Sequence, residues 1–261
     1  MNKPIIGVAS LIFVMAAVGV YYLRSRNAPL PATPVPASTA PAASEPAIAH
    51  PLPGAAGSSS APLPDLADSD APLRDALAQL AGADAVKAYV VPEDVIRRIV
   101  VTIDNMPRQK IAVDKRPTTA IGGSFAANGD ELHATLNQQN FERYKPLVTV
   151  ISKLDMQQLG AVYIRFYPLF QQAYQNLGYP NGYFNDRLVE VIDAMLATPE
   201  PKGPIQLVRP NVMYLYADPA LEARPAGQKL LIRMGPENAQ AVKAKLTELR
   251  AIITAGSLKH Q

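Results

Sequence analysis

The chain predicts a mainly α fold: one helical globular domain carried behind a single-pass N-terminal transmembrane helix and a Pro/Ala-rich linker, with a short hairpin inside the domain. Three observations carry this reading. Twenty uncharged residues run from Pro4 to Leu23. Ten prolines and eleven alanines crowd residues 27–64. From Asp65 onward, apolar residues recur at the three- and four-residue spacing of amphipathic helices. The segments are therefore an anchor with flanks at 1–26, a disordered linker at 27–64, the domain at 65–255 and a tail at 256–261.

At ~1.5 Å per residue, a helix from Pro4 to Leu23 matches the roughly 30 Å hydrocarbon core of a bilayer. Tyr21 and Tyr22 stand where amphipathic rings prefer the interface, and Arg24 and Arg26 follow within reach of phosphates. Ala17-Val18-Gly19 loosely fits a small-x-small cleavage site, but the apolar run continues past it to Leu23 and favours an uncleaved anchor. The linker holds a single acidic residue, Glu45, and buries too little apolar area to fold. As a flexible coil it reaches ~35 Å, and fully polyproline-extended ~120 Å. A spacer of that reach suits a bacterial inner-membrane anchor, N-in and C-out, with the domain in the periplasm.

Within the domain, Ser69 is placed to cap a helix carrying Leu73, Ala76, Leu77 and Leu80, which Gly82 ends. A second helix, with Pro92 in its first turn, gathers Val95, Ile96, Ile99, Val100 and Ile103 in one arc and leaves Arg97 and Arg98 outside it. Residues 109–132 lack that periodicity and contain Gly122-Gly123 and Asn128-Gly129, the signals of extended chain with a tight turn. Helix resumes over 137–154 and again from Asp155, where Pro168 is expected to kink or split the run before Gly178. Asn185 is read as the cap of a helix to about Ala197. The proline-rich break at 198–204 is followed by Ile205 to Val208 and Val212 to Tyr216, apolar enough for short strands or buried extended segments. A helical turn from Pro219 and helices over about 228–234 and 237–254 complete the domain, with Gly235-Pro236 punctuating the last two.

Composition narrows the function classes. Three of the 25 basic residues and one of the 22 acidic residues fall before residue 65, which leaves the domain within one charge of neutrality. That lacks the basic stripe of a nucleic-acid binder, so no nucleic-acid partner is expected. The absence of cysteine excludes disulfides, thiolate zinc sites, cysteine nucleophiles and cysteine-linked lipids. His50, His133 and His260 are too few and too scattered for a histidine metal site or a Ser-His-Asp triad, so no metal and no cofactor is expected.

The segment YPLFQQAYQNLGYPNGYFNDRLVEVID, from Tyr167 to Asp193, resembles the core of a bacterial family of unknown function, DUF3014. YADPALEA from Tyr216 and AGQKLLIRMGPEN from Ala226 are similar to that family's C-terminal signature. The resemblance covers most of Asp65 to Ile253. It implies a bacterial protein with an N-terminal membrane or signal segment and no established activity. The lipoprotein label given to some members does not carry over, since this chain has no cysteine to acylate.

Eight of the seventeen Phe and Tyr residues lie between Tyr163 and Phe184. Helical spacing assigns Tyr163, Phe166, Phe170 and Tyr174 to the core. Beyond Gly178 the chain leaves the helix, so Tyr179, Tyr183 and Phe184 are expected on a loop among Asn181, Asn185 and Arg187, a mixture that suits sugar rings or peptide. Asp186, Glu190 and Asp193 share one face of the next helix. A solvated acidic face near a helix N-terminus accounts for that spacing, and a catalytic carboxylate set is the sharper alternative. Ala239, Val242, Leu246, Leu249 and Ile253 form a stripe able to pack on the domain or on a second copy. The leading functional expectation is a membrane-anchored periplasmic protein that binds or scaffolds a cell-envelope protein or peptidoglycan. The others are a peptidoglycan hydrolase acting through Asp186, Glu190 and Asp193, and a homo-oligomer joined through Val242 to Ile253.

Overall fold

The computed structural model describes residues 47–53, 62–130, 133–210 and 213–256. The expected transmembrane helix, most of the expected linker, His260 and nearly all of the tail lie outside them. Among the described residues, no helix is long and apolar enough to cross a membrane.

Nine helices and four short strands make up the described domain. Helix α1 (Asp70–Ala81) ends at Gly82, whose φ of 88° stops it. Ser69 does not cap it as expected: the residue is itself helical, and its buried hydroxyl donates to the Leu66 carbonyl, closing the 3-10 turn Leu66–Asp68. A further short helix, α2 (Ala83–Tyr89), precedes α3 (Val95–Asn105). Helix α3 starts three residues after Pro92 because its free amides are met from another element. The Asp70 carboxylate accepts from the Asp94 and Val95 amides, each at 2.8 Å, so the first residue of α1 caps α3.

Helices α4 (Gln139–Lys153) and α5 (Met156–Asn176) follow, the latter capped by Asp155, which accepts from the Gln157 and Gln158 amides. Helix α5 runs unbroken through Pro168, contrary to the expected split. Pro168 lies on the exposed side, so the missing backbone bond falls where water can meet the freed carbonyl, while Phe166, Leu169 and Phe170 hold the helix to the core. Then come α6 (Phe184–Leu196), α7 (Pro219–Glu222), α8 (Ala226–Met234) and α9 (Pro236–Thr254). Asn185 is not a cap; it sits one residue inside α6.

The expected hairpin is present and belongs to a larger sheet. Strands β1 (Ala127–Asn128), β2 (Ala134–Leu136), β3 (Gln206–Val208) and β4 (Leu215–Tyr216) are antiparallel in sequence order. Ala127 faces Leu136, Ala134 faces Leu207, and Leu207 faces Tyr216. Alternation puts Ala134, Leu136, Leu207 and Tyr216 on one face, which buries against Ile232 of α8 and Phe141 of α4.

The remaining core is made by helices. One cluster joins Leu73, Val95, Ile96, Val100, Phe166, Phe170 and Phe184; another joins Val148, Val191, Met195, Leu231 and Val242. Helix α9 packs against α4, α5 and α6. Its stripe is taken up there: Ala239, Val242 and Ile253 are buried, with Leu246 and Leu249 partly so. The face considered for a second copy is thus occupied by the domain's own helices.

One part of the expected linker is docked. Residues 47–53 lie along the start of α6 and the end of α9 as a strap. Leu52 is buried with Leu188, Val189, Ile192 and Ile253, and the Pro51 carbonyl lies directly against Gly256. The Ala49 and His50 amides donate to the two oxygens of Asp186 at 3.0 and 2.7 Å. A Pro/Ala composition signals disorder when considered by itself, but one leucine and two captured amides are enough to fasten these few residues.

Close approach of α5 and α9 depends on Gly160, where a Cβ would stand 2.6 Å from Cγ2 of Ile252. In a free helix Gly→Ala gains about 1 kcal/mol. Here overpacking, on the order of 1–3 kcal/mol, should win. Gly160→Ala is therefore expected to lower the Tm in thermal unfolding; an unchanged or higher Tm would show that the two helices have room to part.

Candidate functional site

A shallow bowl of about 380 Å³ lies where the loop between α5 and α6 meets the end of α3. Tyr174 enters it from α5, Tyr179, Asn181 and Tyr183 from the loop, Asp186, Arg187 and Glu190 from α6, Asp104 from α3, and Ala47 from the strap. The loop is fixed from below by Gln171. Its amide nitrogen donates to the Gly182 carbonyl at 2.7 Å, and its amide oxygen accepts from the Phe184 amide at 2.8 Å and from the Tyr167 hydroxyl at 3.0 Å. Tyr179 stacks on Tyr174, with centroids 4.6 Å apart and planes 16° from parallel.

Asp104 organises the charge. It is only 3 % exposed, yet it bonds Arg108 at 2.7 Å and stands 3.3 Å from the Arg187 guanidinium. Arg187 also donates to the Asp104 carbonyl at 2.9 Å and to Glu190 at 2.7 Å. The Tyr179 hydroxyl completes the set, 3.4 Å from both Asp104 and Arg108. Burial alone would lower the Arg187 pKa, but its bond to Glu190 and the nearby carboxylates more than offset this and raise it. The bowl therefore presents one fixed cation, Arg187, among the carboxylates Asp104, Asp186 and Glu190 and the tyrosine rings, all set before any ligand arrives.

The residues expected from sequence divide into three groups. Tyr179, Asn181, Tyr183 and Arg187 come together in the bowl. Phe184 and Asn185 do not, and this corrects the expected loop: α6 begins at Phe184, so both are buried, at 0 % and 1 % exposure. Phe184 stacks on Phe170 in the core. Asn185 donates to the His50 carbonyl at 2.7 Å and the Ile253 carbonyl at 3.1 Å, and accepts from the Tyr163 hydroxyl at 3.1 Å. Burial pushes the Tyr163 hydroxyl well above its usual pKa and that of Tyr167 up to about 12, so both remain neutral donors.

The three carboxylates of α6 serve three partners. Asp186 holds the strap, Glu190 pairs with Arg187, and Asp193 makes a two-pronged pair with Arg250 of α9. Asp193 does not line the bowl. The Arg250 bond holds its carboxyl below the usual carboxylate pKa. His133 lies exposed beside Asp130.

Asp104 and Arg108 escaped the sequence reading. A signal was there: Asp104 falls four residues after Val100 and eight after Ile96, in line with the apolar stripe of α3, and Arg108 follows four later. An acid on a buried stripe requires a cation, and the second cation comes from Arg187, 83 residues on.

Fold and site together define a mainly helical domain with a small antiparallel sheet and a preformed polar and aromatic bowl. The family described as "Protein of unknown function (DUF3014)" matches residues 95–250, and the chain belongs to it. Among curated proteins and among solved structures, nothing matches. Asp104, the aromatic loop and Arg187 all lie within the matched span, whereas the strap and α1 precede it.

The Asp193–Arg250 pair yields a pH test. Because the folded pKa lies below the unfolded value of about 3.9, its stabilisation is complete above that value and is lost as pH falls through the folded pKa. Asp193→Asn should lower the Tm at about pH 6, and the gap from the unaltered protein should close as the pH falls through the folded pKa. A gap independent of pH would show that the pair is not the source of the effect.

Proposed function

We propose that this is a binding module of the bacterial cell envelope, anchored in the inner membrane by residues 4–23 and holding wall polymer in the bowl on the periplasmic side. The uncharged run, the flanking Arg24 and Arg26 and the proline-rich spacer support the anchor and its reach. The observation that carries the binding reading is Asp104. Burying a carboxylate is unfavourable unless it is paired, and here the pairing fixes Arg187 and a tyrosine hydroxyl in an open bowl. The half-buried Tyr179 and Tyr183 give apolar ring surface for sugars, and Asn181, Arg187 and Glu190 give hydrogen-bonding groups around them.

Binding rather than cleavage is favoured because Asp186, Glu190 and Asp193 are each engaged by a different partner. In a glycan-cleaving pair, two carboxyl groups flank one scissile bond.

The test uses the full-length protein. It should co-sediment with purified peptidoglycan, and Tyr183→Ala with Asn181→Ala should cut the bound fraction severalfold. Asn181 is exposed and Tyr183 half-buried, so the Tm should move by only a few degrees, as expected of substitutions worth about 1 kcal/mol. A photo-crosslinker at position 181 should capture wall material in cells. Unchanged sedimentation of the double variant, or capture of protein alone, would contradict the wall reading. Digestion of the polymer that Glu190→Gln abolishes would replace binding by hydrolysis. A reporter joined after Gln261 that works only in the cytosol would overturn the periplasmic placement.

A further inference from the structure

A second recess, sharing no residue with the bowl, lies between the sheet and the start of α9. It encloses about 310 Å³. Leu136 and Phe141 form one wall, Leu231 and Ile232 another, and the proline-rich segment 198–205 lies over it. At the ~30 Å³ that a water molecule occupies in the liquid, the space holds about ten small groups, at the lower end of ligand-sized pockets.

Lys243 sets the chemistry of this cleft. Its side chain is only 17 % exposed. An ammonium carries three donors. Among the described residues, this one makes a single hydrogen bond, to the Thr198 carbonyl at 2.7 Å. Glu200, the carboxylate of the lining, stands 3.6 Å away, beyond a normal hydrogen bond, and its side chain is 66 % exposed and free to swing into water. Gly235, Pro236 and Ala239 also line the cleft, which brings the positive end of α9 to its wall. An apolar chamber with one half-buried cation matches an apolar body bearing one negative group.

We infer that the cleft binds a small monocarboxylate with a hydrocarbon body, its carboxylate taking the place of Glu200 at Lys243 and its apolar part lying between segment 198–205 and α8. Replacement of Glu200 gives the ammonium a closer carboxylate, and the ligand's hydrocarbon leaves water. The walls of the cleft come from three separate stretches of chain, 136–141, 198–205 and 231–243, so no local sequence pattern marks it.

Octanoate, with ten non-hydrogen atoms, is the probe, and 1-octanol is its uncharged control. Titration of the full-length protein followed by calorimetry should show saturable binding of octanoate. Lys243→Gln, which keeps a donor for the Thr198 carbonyl and removes the charge, should weaken octanoate at least tenfold and leave octanol unchanged. Lys243→Arg should retain binding. Ile205→Phe, at a half-buried wall position, should abolish binding of both. Octanoate carbon-labelled at the methylene next to its carboxylate should give magnetisation transfer from those protons to the Ala239 methyl in the unaltered protein, a readout that needs no variant to fold. Absence of saturable binding at millimolar octanoate, equal binding by Lys243→Gln, or undiminished binding by Ile205→Phe would each overturn the inference.

Discussion

The first turn of α6 is the constraint on which the rest of the domain depends. Successive residues of an α-helix point about 100° apart, so four in a row address four directions. Phe184 points into the core and stacks on Phe170. Asn185 ties α5, α9 and the strap through three hydrogen bonds. Asp186 takes two strap amides, and Arg187 reaches Asp104 and Glu190 at the bowl. Placement of any one of these fixes the other three, because the helix between them is rigid. Core, tether and site are consequently set by a single local structure.

The same turn explains why the tether and the bowl are neighbours. Ala47 lines the bowl and His50 is bonded to Asn185, so the strap runs from the rim of the site to the start of α6. The described geometry leaves the carboxylates of α6 engaged in structure: one holds the strap, one braces Arg187, and one joins α6 to α9. Their shared face is organised by three separate partners: Arg187 one turn away on α6, and the strap and Arg250 from distant parts of the chain. This supports recognition at the bowl, where the groups that remain available are aromatic faces, an amide and the outer edges of an ion-pair network.

Local and periodic features were legible in the sequence, and non-local ones were not. The apolar stripes of α1, α3, α6 and α9 follow from spacing alone, and Gly82 and Gly235-Pro236 mark ends that the structure keeps. The strands at 206–208 and 215–216 could be found as short apolar runs, but their pairing with a hairpin 70 residues earlier could not. Helix starts were misplaced wherever the cap comes from elsewhere: Asp70 caps α3, and Ser69 spends its hydroxyl on the preceding turn. In the bowl, Tyr179, Asn181, Tyr183 and Arg187 were found because they cluster in sequence. Asp104 was missed because its importance rests on an arginine that only the fold brings to it. Phe184 and Asn185 were assigned to the wrong environment by an error of two residues in the start of α6.

The strap's two amides are bound by the same turn that aims Arg187. Hydrogen exchange of the full-length protein, read at the Ala49 and His50 amides, measures that attachment. Exchange should be slower than in a free peptide of the same sequence, with the protection lost in Asp186→Ala. Exchange at the free-peptide rate in the unaltered protein would contradict that attachment.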